Sequence, residues 1–257
     1  MFEYPISTVR LELSARSDIG RNRRRNEDAY FAGGLSGADG WTLLAVADGL
    51  GGHARGDWAS SRTLELLAVE LGPLLTVMAP DAALREAVRR INWQVRAEAR
   101  TLNAVGAATT LVLSLFHGLE YWWLNIGDSR LYFHGPDGLR QLSRDHSWVQ
   151  DQVEQGLLDP AETRLHPYRN VVTRTIGFEL AVDPDIRGPF TLAESETLLA
   201  CSDGLFGPVA DAAIAGVLGA YEPGEATRRL IELANEAGGP DNITVALARP
   251  HLNRARQ

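Results

Sequence analysis

Four aspartates stand beside glycines or a short turn next to apolar stretches, an arrangement that could bind metal ions. The motifs are Asp48-Gly49, Gly127-Asp128, Asp203-Gly204 and Gly239-Pro240-Asp241. A carboxylate at a strand end emerges at the rim of a sheet, where a neighbouring glycine lets a ligand approach the backbone closely. A single Asp-Gly pair is usually a turn, but four carboxylates at one rim repel one another unless cations neutralise them. Oxygen ligands without nearby cysteine or a paired-histidine motif favour Mg²⁺ or Mn²⁺ over Zn²⁺.

A basic segment between Asp18 and Asp28 is the second group of residues that could do chemistry. It contains several arginines and ends on Glu27-Asp28. One interpretation is a solvated basic loop. The other is that one arginine of the run clamps a phosphate with its forked guanidinium, while Glu27 and Asp28 face metal-bound waters.

Apolar periodicity predicts the elements that position these residues. The predicted strands cover residues 9–15, 30–33, 41–47, 109–116, 120–126, 129–133, 186–190, 197–201 and 242–248. The predicted helices cover residues 58–75 (where Pro73 limits the helix), 82–102, 148–155, 210–218 and 226–237. The connections 118–119 and 125–128 are as short as hairpins, so the strands that they join should be antiparallel. Antiparallel strands separated by pairs of helices indicate a layered α+β fold.

The composition restricts partners and compartment. The chain has 257 residues, with 25 basic against 33 acidic side chains and a formal net charge of −8. This balance argues against nucleic acid as a partner and, taken at face value, against any anionic substrate. A single cysteine, Cys201, excludes an intrachain disulfide and fits a reducing cytosol. We expect a cytoplasmic protein without a membrane partner, because no signal-peptide pattern begins the chain and the uncharged stretch 101–119 is β-rich.

Five motifs occur in order along the chain. They are Gly20-x-x-Arg23-x-x-Asn26-Glu27-Asp28, Val46-Ala47-Asp48-Gly49-x-Gly51-Gly52-His53, Gly127-Asp128-Ser129-Arg130, Ser202-Asp203-Gly204 and Gly239-Pro240-Asp241-Asn242. In this order they resemble the motifs of metal-dependent type 2C Ser/Thr protein phosphatases, most closely the compact bacterial branch. The stretches 144–147 and 166–177 are similar to the sequences around the flap of that branch. The resemblance extends over about residues 10–248.

The resemblance implies a centre of two Mn²⁺ or Mg²⁺ ions, with a weaker third ion, that activates water for attack on phosphorus without a phosphoenzyme. The metal ligands that it implies are Asp48 (bridging both ions), the carbonyl of Gly49, Asp203, Asp241, Asp28, Glu27 (directly or through water) and Asp128 (third ion). Arg23 matches the phosphate-binding arginine. The implied activity is hydrolysis of phosphoserine and phosphothreonine in proteins.

The resemblance also implies a four-layer αββα sandwich, in which helix pairs flank two antiparallel-rich sheets. We expect a single domain over residues 1–257, with its core at about 10–248 and a short flap at about 144–176, called the flap segment below. The implied partners are phosphorylated proteins, the substrates of a Ser/Thr kinase. No oligomerisation motif is visible in the sequence, so we expect a monomer.

One departure leaves the acid that protonates the leaving group open. Family members from animals carry a histidine two residues after the bridging aspartate, proposed as this general acid, and Leu50 stands there in this chain. The nearest histidine is His53, in the Gly-Gly-His pattern usual for bacterial members. The acid is His53, a metal-bound water or neither.

Two alternative functions remain at this point. Gly49-x-Gly51-x-x-Ala54 fits the loose dinucleotide-binding fingerprint, although the βαβ context is missing. The other alternative is a catalytically silent, phosphoprotein-binding regulatory module of the same fold. Loss of a metal ligand would favour that module, yet Asp48, Asp203 and Asp241 are all present.

Overall fold

Two stacked antiparallel sheets form the centre of the computed structural model, which describes residues 8–50 and 55–253. The first sheet has the order β1 (Thr8–Asp18), β11 (Ile243–Asn253), β10 (Thr197–Cys201), β7 (Arg130–Gly135) and β8 (Gly138–Gln141). The second has the order β2 (Asp28–Gly34), β3 (Trp41–Leu50), β5 (Leu111–His117), β6 (Glu120–Ile126) and β9 (Asp185–Thr191), with β4 (Ala108–Thr109) paired to the end of β3.

Helices cover the outer face of each sheet, which gives the described part of the chain four layers. The helices are α1 (Gly56–Leu75) and α2 (Pro80–Thr101) on the second sheet, α3 (Trp148–Glu154) in the flap segment, and α4 (Asp203–Phe206), α5 (Asp211–Ala220) and α6 (Pro223–Glu236) on the first sheet. A 3₁₀ helix, Pro160–Leu165, follows α3 in the flap segment. The predicted layered α+β sandwich is therefore confirmed.

Strand β3 shows why the sheets stack in this way. Leu43 and Ala45 pack in the apolar layer beneath α1 and α2, whereas Leu44 and Val46 pack between the two sheets. Successive side chains of a strand point to opposite faces, so a strand that is covered on both faces must be apolar at every position. This explains the uninterrupted apolar run that leads to Asp48.

The hairpin predicted for residues 125–128 is wrong, because these residues connect β6 and β7, which do not pair. These two strands belong to different sheets and do not pair, so the chain crosses between the layers at this point. The crossing depends on Gly127, which has a φ of 100°. A Cβ atom there would lie 2.6 Å from Cγ2 of Thr110. The connection is as short as a hairpin because the second sheet lies directly against the first.

Other differences from the predicted elements are local. The predicted strand 109–116 divides at Thr110, since β4 pairs with Gly49 and Leu50 at the end of β3 and β5 pairs with the earlier part of that strand. Helix α1 begins two residues before its predicted start, and it continues through Pro73 to Leu75, where its end was predicted. The sequence analysis missed β8, α4 and the 3₁₀ helix, because such short elements contain little more than one apolar period.

In the part of the chain that the structure describes, none of the helices has the length and apolar character needed to cross a membrane. The uncharged stretch 101–119 begins at the last residue of α2 and then forms β4 and β5.

The layer beneath α1 provides a test of the fold. Leu67 is fully buried, and its replacement by alanine should lower the free energy of unfolding by about 2–5 kcal/mol, since the cavity refills only partly. Val69 lies on the same helix but is 69% exposed, so Val69→Ala should change that free energy by less than about 0.5 kcal/mol. Urea denaturation measures both variants. Equal decreases in the free energy of unfolding of the two variants would show that α1 does not pack on the sheet through the face that contains Leu67.

Candidate functional site

The rim where both sheets end brings the predicted acidic residues together. Asp28 begins β2 and lies opposite Asp48 near the end of β3. Asp203 lies two residues after the end of β10 and begins α4, and Asp241 precedes β11, the neighbour of β10. Asp128 lies on the crossing between β6 and β7. Each sheet thus supplies one pair of carboxylates, and the crossing supplies a fifth.

Burial and mutual repulsion disfavour the ionised form of these groups. Burial raises the pKa of Asp28 to about 6. Burial and then the charge of Asp145 raise the pKa of Asp128 to about 7. Burial raises the pKa of Asp48 well above its ordinary value, and the charges of Asp28 and Asp203 raise it further. The pKa of Asp203 is raised for the same reasons, first by burial and then by the charge of Asp128. This cluster therefore requires protons or cations.

Unpartnered oxygens indicate that the cluster suits metal ions. Oδ1 of Asp28 and Oδ1 of Asp203 are buried, and neither has a hydrogen-bond partner. The other oxygen of Asp28 accepts a hydrogen bond of 2.7 Å from Ser202 Oγ. Hard carboxylate oxygens of this kind are the usual ligands of Mg²⁺ and Mn²⁺.

The carboxylates do not form a closed cage around a single ion. Within residues 8–50 and 55–253, no group of three or more His, Cys, Asp or Glu side chains is placed to hold one ion. Mg²⁺ usually keeps several waters and takes only one or two carboxylates. The donor set therefore fits ions that each bind few protein oxygens and complete their coordination with water.

Two threonines fix the backbone of Asp48. Thr110 Oγ1 accepts a hydrogen bond of 2.9 Å from the Asp48 amide, and Thr109 Oγ1 donates one of 2.9 Å to the Asp48 carbonyl. Thr110 Oγ1 also contacts Ser129 Oγ at 2.7 Å, next to Asp128. This role was not predicted from the sequence, because nothing distinguishes the two threonines from the rest of the predicted strand 109–116.

Gly49 has no space for a side chain. A Cβ atom at this position would lie 2.2 Å from the Gly56 carbonyl oxygen and 2.5 Å from that of Glu27. The Gly49 amide donates a hydrogen bond of 3.1 Å to the same Glu27 carbonyl. This packing joins the end of β3 to the start of α1 and to the residue before β2.

Asn242 anchors the basic segment that carries Arg23. Its side-chain oxygen accepts a hydrogen bond of 2.9 Å from the Glu27 amide, and its side-chain nitrogen donates to the carbonyls of Ile19 and Arg25 at 2.9 Å each. Both ends of the segment are thus tied to the residue that follows Asp241. The Asp241-Asn242 motif was the sequence signal for this contact, although only Asp241 was assigned a role.

Arg23 lies at the mouth of the site with its side chain half exposed. Its Nη2 atom donates a hydrogen bond of 2.6 Å to Oδ2 of Asp241, which raises the pKa of the guanidinium. Arg23 and Asp241 line a cleft of about 450 Å³ together with Asp128 and Asp203. This pairing of the expected phosphate-binding arginine with an expected metal ligand was not predicted from the sequence.

Glu27 lies at the margin of the cluster. Its pKa is raised by burial and then by the charge of Asp57 in the first turn of α1, whereas the charge of Arg23 lowers it. Its side chain thus lies near α1 as well as near the carboxylates, and its contact with a metal ion, directly or through water, stays a prediction. His53 falls outside the described residues, as do Gly51, Gly52 and Ala54.

Two other expectations concern residues near the rim. The dinucleotide alternative is wrong, because α1 is followed by α2 and by strands antiparallel to β3 and not by a parallel strand. Cys201 is fully buried on β10, and burial raises the pKa of its thiol, so it is not placed to act as a nucleophile.

Comparisons with known proteins agree with this geometry. A family model described as Protein phosphatase 2C matches residues 19–218. The serine/threonine protein phosphatase PstP of Mycobacterium tuberculosis is 40% identical over 247 residues, which are 94% of this chain and 45% of the relative. The serine/threonine phosphatase stp of Listeria welshimeri is 35% identical over 243 residues, which are 92% of this chain and 95% of the relative.

Comparison with a solved structure indicates the same family. The catalytic domain of PstP in complex with two manganese ions has a TM-score of 0.79 and 36% identity, and the match covers 95% of this chain and 99% of that one. The chain spans less than half the length of the M. tuberculosis relative, so the match to PstP concerns part of that protein. By family model, sequence identity and structure, the chain belongs to the protein phosphatase 2C family.

Proposed function

We propose that this chain is a protein serine/threonine phosphatase, which hydrolyses phosphoserine and phosphothreonine in proteins with two Mn²⁺ or Mg²⁺ ions. The observation that carries the proposal is the convergence of partly buried carboxylates from both sheets beside the half-exposed Arg23. The relatives' names, and the two manganese ions in the structure of the PstP catalytic domain, support the same activity and metal.

The proposed ligands of the ions are those that the family resemblance implies, and the convergence of their carboxylates at the rim supports them. Asp48, the carbonyl of Gly49, Asp203, Asp241 and Asp28 would hold two ions, with Glu27 in contact directly or through water, and Asp128 would help to hold a third. When bound, such ions lower the pKa of a coordinated water and neutralise charge that develops on the phosphoryl oxygens.

The chain's own residues bind and orient the substrate. Arg23 releases Asp241 and presents its forked guanidinium to the phosphate, whose two oxygens match it better than one carboxylate oxygen does. Thr110 and Asn242 keep the backbone of the rim fixed during this exchange. Cys201 stays buried and takes no part.

We propose further that residues 1–257 form one domain, that the chain is a monomer, and that its substrates are the products of a Ser/Thr kinase. The unbroken stack of three apolar layers supports the single domain. The catalytically silent module is less well supported, because Asp48, Asp203 and Asp241 are all retained at the rim.

The first test is metal-dependent hydrolysis. The protein with Mn²⁺ should hydrolyse p-nitrophenyl phosphate and a phosphothreonine peptide, and excess chelator should abolish both activities. Asp48→Asn should lower kcat/KM at least about 100-fold, since even residues that only support metal ligands cost up to that much. Asp39→Asn, in the exposed turn between β2 and β3, is the matched control and should keep the wild-type rate. An unchanged rate in Asp48→Asn would refute the proposed metal centre.

Arg23→Ala tests the phosphate-binding role. We expect KM to rise about tenfold, the cost of a charged hydrogen bond, while Mn²⁺ still binds because Asp241 loses only a competing partner. Steady-state kinetics and calorimetric titration with Mn²⁺ measure the two effects. Arg24→Ala, which alters an exposed neighbour, should leave both unchanged. If Arg23→Ala loses its Mn²⁺ instead, the arginine supports the metal site and not the phosphate.

The pH dependence of the metal-free protein tests the crowding of the carboxylates. The pKa values of Asp28 and Asp128, about 6 and about 7, exceed the ordinary value of 3.8. The folded chain keeps protons that the unfolded chain releases, so stability falls as the pH rises through this window. With chelator present, the free energy of unfolding should drop by about 2–4 kcal/mol between pH 5 and pH 8.

Denaturation by urea at a series of pH values measures this drop. Addition of Mn²⁺ at pH 8 should reverse it, because cations replace the protons. Asp128→Asn mimics a protonated carboxyl and should flatten the slope. Stability that rises with pH in the metal-free wild type would mean that the carboxylates do not repel one another as described.

A further inference from the structure

Two arginines of the flap segment line the cleft that contains the carboxylates. Arg164 is the fifth residue of the 3₁₀ helix, and Arg169 follows that helix. Both residues are exposed. Neither forms an ion pair with a carboxylate anywhere in residues 8–50 and 55–253, in contrast to Arg144 of the same segment, which pairs with Asp151 at 2.7 Å.

The other charges of the cleft are already matched. Arg130 pairs with Asp145 at 2.7 Å, and Arg23 pairs with Asp241 at 2.6 Å. The remaining acids that line the cleft are Asp128 and Asp203, which we assign to metal ions. Arg164 and Arg169 therefore supply positive charge that the metal centre does not use.

The backbone that carries these arginines is held in place. The Asp159 side chain caps the 3₁₀ helix by accepting a hydrogen bond of 2.8 Å from the Ala161 amide. The His166 ring stacks on Trp148 of α3 at 4.9 Å, and the Arg169 amide donates a hydrogen bond of 3.1 Å to the His166 carbonyl. The backbone positions from which the two guanidinium groups reach the cleft are thus fixed.

We propose that Arg164 and Arg169 bind an anionic group that flanks the phosphorylated residue, so that the preferred substrates are acidic or multiply phosphorylated segments. This inference rests on the proposed phosphatase function. The phosphate under attack is held at the metal centre and Arg23, so two further guanidinium groups in the same cleft fit a second anion. Carboxylate and phosphate both match the guanidinium fork. The contact is the same before and during the reaction, so it lowers KM and leaves kcat unchanged.

The test compares three phosphothreonine peptides of equal length in the presence of Mn²⁺. One has flanking Asp and Glu, one has flanking Asn and Gln, and one has a second phosphothreonine among Asn and Gln. For the wild type, the KM of an anionic peptide should be about 3- to 10-fold below that of the neutral peptide, as expected for exposed ion pairs. The difference should shrink at high ionic strength.

The double variant Arg164→Gln/Arg169→Gln should remove most of this difference in KM and leave kcat for the neutral peptide near the wild-type value. Arg100→Gln is the matched control, because Arg100 is exposed near the end of α2 and lies outside the cleft lining. This control should keep the full preference. A lower KM for only one of the two anionic peptides supports the inference and identifies the flanking group as carboxylate or phosphate.

Two results would overturn this inference and leave the proposed phosphatase function intact. One is an equal KM for all three peptides in a wild type that hydrolyses p-nitrophenyl phosphate, and the other is a full preference in the double variant. No hydrolysis of any substrate would overturn the proposed function and this inference with it. The wild-type comparison needs no variant, so the test stands even if the double variant folds poorly.

Discussion

The repulsion among the carboxyl groups at the rim is the interaction on which the rest of the structure depends. Asp48 and Asp203 are partly buried, and the charges of several neighbouring carboxylates raise the pKa of each. A set of like charges does not hold itself together, so other contacts must fix every strand end against this repulsion. Ser202 does so for Asp28, and Thr110 does so for the backbone of Asp48. These neutral hydroxyl groups add hydrogen bonds without adding charge.

The same constraint explains why the site lies between two sheets. If the site lay at the rim of one sheet, all the carboxylates would have to come from neighbouring strands of that sheet, because each strand has only one end at that rim. Here β2 and β3 contribute Asp28 and Asp48, while β10 and β11 frame Asp203 and Asp241. The apolar layer between the sheets, which includes Val46 and Ala246, sets the distance between the two pairs. Packing far from the rim therefore contributes to the geometry of the site.

Local patterns were sufficient to predict most of the elements and all the acidic residues of the rim. The strand 120–126 and the strand 197–201 have the predicted bounds, because each is an apolar run that polar or turn residues delimit. Contacts across the fold were not predictable in this way. The crossing at Gly127 looks like a hairpin, since sequence spacing does not reveal which sheet a strand joins. Thr109 and Thr110 look like ordinary strand residues, because their partner Asp48 is about sixty positions away.

The net charge of −8 does not decide whether the substrate is anionic, and the structure gives the physical reason. Many charges cancel locally, as in the pairs Arg62–Glu98 and Arg90–Glu86. Such pairs are included in the net charge but create little electric field at a distance, because the fields of two opposite charges a few ångströms apart largely cancel. The cleft carboxylates also count in the total, although protons or metal ions neutralise them. For the proposed phosphorylated substrate, the charge that remains in the cleft is that of Arg164 and Arg169, which have no ion-pair partner among the described residues. An acidic protein can therefore present a cationic cleft, and the sign of its net charge does not exclude an anionic substrate.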